Sequence, residues 1–250
     1  MKPVSFVGAG PGDPELITLK GRRLLDEADV VIYTGSLVPT ALIQDIKAEA
    51  HDSSGLTLDE TTAIMARAWR EGKRIVRLHT GDPAIYGAIQ EQMDALKDLG
   101  IPFDVIPGVS SVTAAAAALK TELTIPGISQ TVIITRRKGR TPVPEGEGLK
   151  SLAGHQATMM ILLSAGMIDE VVHDLIDGGY PNDTPVAVIE KATWPEERII
   201  RGRLSTISGL ARDAGVEKTA VIAVGKVFGE KESYEKSRLY AKDFTHGYRK

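Results

Sequence analysis

Four times in its first half the chain repeats one event: a short β-branched run, a glycine, and then a stretch with helical spacing. The runs are VSFVGAG, DVVIYTG, RIVRLHTGD and FDVIPG, with a shorter fifth at AEAHDS. Strands that alternate with helices connect by right-handed crossovers and lie mostly parallel. The expected class is therefore α/β, with a first domain over residues 1–119 built on a mostly parallel five-stranded sheet. Gly10, Gly35, Gly81 and Gly108 then line the edge beyond the carboxyl ends of the strands, where open α/β sheets place their ligands. Amphipathic stretches such as PELITLKGRRLLDEA and TLDETTAIMARAWREG fill the crossovers. The second opens on Thr57 with Glu60 three residues later, a capping box that satisfies amides at a helix start.

After AAAALK the pattern changes. QTVIITR, TMMILLSAG, PVAVIEKATW, ERIIRGRL and TAVIAVG read as strands, with MIDEVVHDLIDGG and LSTISGLARDAG as the good helical stretches among them. Consecutive strands at PVAVIEKATW and ERIIRGRL suggest a hairpin, hence a mixed sheet in a second α/β domain over residues 120–229. Residues 230–250 form a polar tail that carries Tyr234, Tyr240, Phe244 and Tyr248; it reads as a solvated end or as a segment packed on a partner subunit.

Composition excludes several classes. With a net charge of -3 and a sequence pI near 6.0, the chain lacks the basic field of nonspecific nucleic-acid binding. There is no cysteine, so disulfides, thiolate metal sites and cysteine nucleophiles are out, and no metal site is expected. The start MKPVSFVGAG is too short an apolar run for a signal peptide, and no stretch approaches the roughly 18 to 20 apolar residues of a membrane span. A cytoplasmic protein that binds no membrane is expected.

The opening turn, VGAGPGDPEL, invites comparison with a dinucleotide-binding fingerprint and fails it. The third glycine of G-x-G-x-x-G would stand at position 13, which is Asp13. The second strand ends in Thr34 and Gly35 in place of an acid for the ribose. Asp13 suits an N-cap and Pro14 the first helical position, and an acid there would repel a pyrophosphate. Two readings stay open on these residues alone: a rigid corner, or a turn that passes close to a different ligand.

VGAGPGDPELITLKG together with VRLHTGDPAIYG resembles the paired signatures of the tetrapyrrole methylases, S-adenosylmethionine-dependent enzymes that methylate carbons of corrin precursors. The resemblance runs from residue 3 to about residue 229. ELTIPGISQTVIITRRKGRTPVPEGE and VIEKATWPEERIIRG are most similar to the branch that acts at C11 of precorrin-4 or its cobalt-containing counterpart. YTGSLV lacks the acid that the uroporphyrinogen branch carries after its second strand. The resemblance implies a cofactor cleft between the domains, a small-molecule tetrapyrrole acceptor, a homodimer and a place in cobalamin biosynthesis. A methylase acting at C17 or C20 and a non-catalytic tetrapyrrole-binding protein are the alternatives.

Carried over by position, the family's S-adenosylmethionine contacts fall on Pro11, on Thr80, Gly81, Asp82 and Ile85, on Ser110 and Ser111, on Leu163, and on Ala192. The residues themselves are compatible: Gly81 admits close backbone approach, and the two serines stand at a helix start with free amides and hydroxyls, although they also suit plain capping. Methyl transfer from a sulfonium needs alignment in a dry pocket and no side-chain nucleophile. Asp82 and His79 are the candidates for a base, with orientation of the cofactor the favoured role for Asp82. His51, His155, His173 and His246 read as ordinary surface or core residues. Arg136, Arg137, Lys138 and Arg140 are candidate substrate-binding residues for the carboxylates of the macrocycle, against the alternative of a solvated basic loop.

Overall fold

The computed structural model describes residues 2–230, 234–241, 244–245 and 247–248. It divides into two compact units. The first comprises the described residues up to Ala114 together with Lys191–Glu196; the second comprises Ala115–Glu190 and the described residues from Glu197 onward.

The first unit holds a five-stranded, all-parallel sheet made of β1 (Val4–Gly8), β2 (Val30–Tyr33), β3 (Glu49–Asp52), β4 (Ile75–His79) and β5 (Phe103–Ile106), in the order β3-β2-β4-β1-β5. Central parallel strands covered on both faces read as continuous buried runs, and β1 and β4 are buried throughout. One face of the sheet packs Val4, Phe6, Val30 and Ile32 against Met65 of α2 (Leu58–Arg70) and Leu96 of α3 (Gln90–Asp98). The other packs Val7, Val31 and Leu78 against Leu25 of α1 (Leu19–Asp26). The capping box at α2 forms as expected from Thr57 and Glu60. Asp13 caps the short turn Pro14–Leu16 by accepting from the Glu15 amide at 2.8 Å.

Beyond α4 (Ser111–Ala118), the second unit holds a mixed sheet of β6 (Val132–Arg136), β7 (Thr158–Leu162), β8 (Pro185–Glu190), β9 (Arg198–Arg203) and β10 (Ala220–Val224), in the order β6-β7-β10-β8-β9. Only β6 and β7 pair in parallel; β8 and β9 form the expected antiparallel hairpin. Its core joins Met159, Ile161, Val186, Val188 and Ile222 to Val171 and Leu175 of α6 (Ile168–Asp177) and Ile207 of α7 (Leu204–Asp213). A one-turn helix, α5 (Leu149–Ala153), adds to the two helices visible in the sequence; five residues are too few to show a period. In the tail, Tyr234 and Tyr248 are exposed. The side chain of Tyr240 and all of His246 lie outside the described residues.

Candidate active site

The carboxyl ends of β1, β4 and β5 are drawn together by glycine. Gly10 and Gly81 form an antiparallel bridge, with the Gly81 amide donating to the Gly10 carbonyl at 2.8 Å and the Gly10 amide returning to Gly81 at 3.3 Å. A methyl group on Gly8 would sit 2.6 Å from both the Gly108 Cα and the Gly81 carbonyl oxygen. No side chain fits there, so the three loops can meet only if the position is glycine.

Asp82 fixes the same junction. One carboxylate oxygen accepts from the Ala84 amide at 2.8 Å and the other from the Gly108 amide at 3.0 Å, which ties the loop after β4 to the loop after β5. With both oxygens engaged, the group is built to orient the loops. Ser110 and Ser111 follow at the start of α4, both half-buried. The Ser110 hydroxyl oxygen accepts from the Val112 amide at 3.2 Å, so it does cap the helix. An added methyl at Gly81 would find backbone of Ser110 and Ser111 no nearer than 3.7 Å, so loop and helix start lie side by side. Thr80, Gly81, Asp82, Ile85, Ser110 and Ser111 are thus brought to one edge of the first unit.

Pro11 and Ala192 also belong to this unit, because Lys191–Glu196 packs with it. The Trp194 indole Nε1 donates to the Pro11 carbonyl at 2.8 Å, and the Asp13 amide donates to the Thr193 hydroxyl at 2.9 Å. Gly12 lies against the Trp194 indole, where any side chain would collide with its Cδ1 and Nε1 atoms. Lys191 and Thr193 flank the buried Ala192 with φ of 48° and 70°. For a branched residue such as Thr193 this left-handed backbone costs about 1–2 kcal/mol, and strain of that kind gathers at ligand-binding segments. Tyr86 and Ala88, just beyond Ile85, share it with φ of 55° and 48°.

His79, the last residue of β4, is 2% exposed and stacks on Phe6 with ring centroids 6.0 Å apart. Burial, with Arg77 nearby, pushes its pKa down to about 3, and its Nε2 has no hydrogen-bond partner. A neutral imidazole sealed against a phenyl ring serves the packing of the sheet. Among the other histidines, His155 and His173 are exposed and His51 is half-buried beside Glu49.

Residues 3–208 match the tetrapyrrole (corrin/porphyrin) methylases. The chain belongs to this family. A cobalt-precorrin-4 C(11)-methyltransferase of Methanocaldococcus jannaschii is 55% identical over 249 residues, covering 99% of this chain and 96% of its own. A solved cobalt precorrin-4 methyltransferase superposes with a TM-score of 0.89 at 48% identity, over 91% of this chain and 96% of its own. The uroporphyrin-III C-methyltransferase from Thermus thermophilus, solved in complex with S-adenosyl homocysteine, superposes with a TM-score of 0.77 at 30% identity, over 90% and 98%.

In the second unit of this methylase, Leu163 follows β7 directly, with φ of 56° and 68% exposed, although its neighbours Leu162 and Ser164 are buried. A solvent-facing leucine held in a strained backbone is poised for contact more than for packing. The four basic residues at the end of β6 and in the loop that follows divide into two pairs. Arg136 spends its guanidinium on the carbonyls of Thr141 at 3.2 Å and Pro142 at 2.6 Å, and Arg137 donates to Asp174 at 2.8 Å. Lys138 and Arg140 are exposed at the tip of the loop.

Trp194 and Thr193 fasten the opening turn, a contact that sequence reasoning passed over. They stand beside Ala192 in KATW, yet their partners lie about 180 positions away and no local pattern announces them.

Proposed function

We propose that this chain transfers a methyl group from S-adenosylmethionine to C11 of precorrin-4, and that its natural acceptor carries cobalt. Supporting this reading are family membership over most of the chain and the C11 enzymes found among its relatives. The cobalt form is favoured because relatives at 55% and 49% identity and a solved structure at 48% are named for cobalt-precorrin-4, whereas those named for precorrin-4 are 38–45% identical. The observation that carries it is the glycine junction at Gly8, Gly81 and Gly108, which packs the loops after β1, β4 and β5 against one another and brings Thr80, Gly81, Asp82, Ser110 and Ser111 to one edge without forming a phosphate cradle.

S-adenosylmethionine, when bound, supplies a methyl on a positively charged sulfur that becomes neutral as the methyl leaves. The chain's own part is to hold donor and acceptor in line and keep water away. Pro11, Thr80, Gly81, Asp82, Ile85, Ser110, Ser111 and Ala192 form the donor surface of the first unit in this reading. Asp82 keeps the loops in register, and no proton step is assigned to it or to His79. Lys138 and Arg140 offer charge to the acceptor's carboxylates, while Arg136 and Arg137 hold their loop in shape. The enzyme works in this reading as a cytoplasmic homodimer. Among the described residues no helix is long and apolar enough to cross a membrane.

Incubation with S-adenosylmethionine and either cobalt-precorrin-4 or the metal-free compound, followed by location of the new methyl, tests the assignment. Methylation at C11 with preference for the cobalt form is expected. A methyl at C17 or C20 refutes the position, and binding of the macrocycle without turnover refutes the enzyme.

A further inference from the structure

Arg77 stands in the middle of the central strand β4 and is 5% exposed. No carboxylate answers it among the described residues. Its Nε donates to the Gln92 side-chain oxygen at 2.8 Å and one terminal nitrogen to the Ile32 carbonyl at 3.3 Å. Gln92, 7% exposed in the first turn of α3, uses its other end on the Ala88 carbonyl, to which its Nε2 donates at 3.0 Å. A neutral amide is the side chain that can do both, accepting from a cation and donating to a carbonyl.

The segment reached in this way is the far end of the loop that begins with Asp82. Its near end is fastened by the Asp82 carboxylate to Ala84 and Gly108. Between the fasteners lie Ile85, the left-handed Tyr86, Gly87 pressed on the Pro83 carbonyl, and the left-handed Ala88. A backbone of this kind persists only where its surroundings impose it. The Asp82 contacts act at one end; Gln92 supplies the tie at the other, anchored in the sheet by Arg77.

We propose that Gln92 is a positioning residue for methyl-donor binding, holding the Ile85–Ala88 segment in its strained form through the Ala88 carbonyl. The inference rests on the donor-site reading above. Gln92→Glu separates the two halves of the relay, because a carboxylate still accepts from Arg77 but has no hydrogen to give Ala88. In calorimetry with S-adenosylhomocysteine, Gln92→Glu weakens binding about fivefold to tenfold, the scale of one hydrogen bond. The KM for the donor rises in step and the KM for tetrapyrrole stays unchanged. Adding Ala88→Gly, which lifts the left-handed penalty, restores part of the loss. Asp82→Asn in parallel tests the site itself. Weak binding in Asp82→Asn with normal binding in Gln92→Glu overturns the role of Gln92 alone, as does a loss that Ala88→Gly leaves untouched. Normal binding in both single variants overturns the donor site and the inference together.

Discussion

The indole of Trp194 donates a hydrogen bond to the carbonyl of Pro11 across 183 positions of sequence, and in doing so fastens the turn after the first strand with a segment from the second half of the chain. Trp194→Phe keeps an aromatic ring beside Gly12 and loses the bond, at a cost of about 1 kcal/mol. Trp194→Ala also loses the packing, about 2 kcal/mol or more. Thermal unfolding should rank the two in that order, and the KM for S-adenosylmethionine should rise in both.

Glycine at position 8 is a matter of space, and the effect of filling it is large. Gly8→Ala places a methyl 2.6 Å from backbone atoms of two other loops, an overlap that costs about 3 kcal/mol or more. Gly55→Ala is the control: its added methyl meets nothing within 4 Å. Denaturant titration should show a large shift of the midpoint for the first variant and little for the second.

His79 makes the fold sensitive to acid. Its native pKa, pushed down to about 3 by burial and then by Arg77, lies below the value of about 6.5 in an unfolded chain. Between those values the unfolded state binds the extra proton, so stability rises with pH and falls as the solution is acidified. The slope approaches about 1.4 kcal/mol per pH unit for one group. Unfolding followed from about pH 6 to about pH 4.5 should show this component in the native chain and lack it in His79→Leu.

The basic loop after β6 should separate by role. Replacing Lys138 and Arg140 together by Glu should raise the KM for tetrapyrrole about fivefold or more by like-charge repulsion of its carboxylates, with S-adenosylhomocysteine binding unaltered. Arg137→Ala should instead lower stability by about 1–2 kcal/mol, since it strips the half-buried Asp174 of its partner. Steady-state kinetics and thermal unfolding on the same preparations distinguish the two.

Sequence made the first sheet legible because four of its five strands are short, carry β-branched residues and close on a turn signal, and the period of a parallel α/β unit repeats visibly; β3, EAHD, has no β-branched residue and shows only as a shorter fifth run. The caps at Asp13 and Thr57 were equally plain, being local chemistry. The glycine edge could be placed, but not the reason for it: that Gly8, Gly81 and Gly108 touch one another is a property of strand order, which puts β1 between β4 and β5. The basic cluster after β6 read as four equal cations, and only the positions of Thr141, Pro142 and Asp174 show that two of them are engaged. Arg77 and Gln92 gave no signal at all, because a buried arginine in a strand and a glutamine in a helix look alike to solvent-facing ones in a single sequence.

The return of Lys191–Glu196 to the first unit also bears on synthesis and dissection of the molecule. During translation the opening turn waits, lacking its indole partner, until residue 194 has been made. A fragment ending at Ala114 would contain the whole parallel sheet and still leave Gly12 and the Pro11 carbonyl without their indole partner, so the strands of the first unit are contiguous in sequence while the unit itself is not.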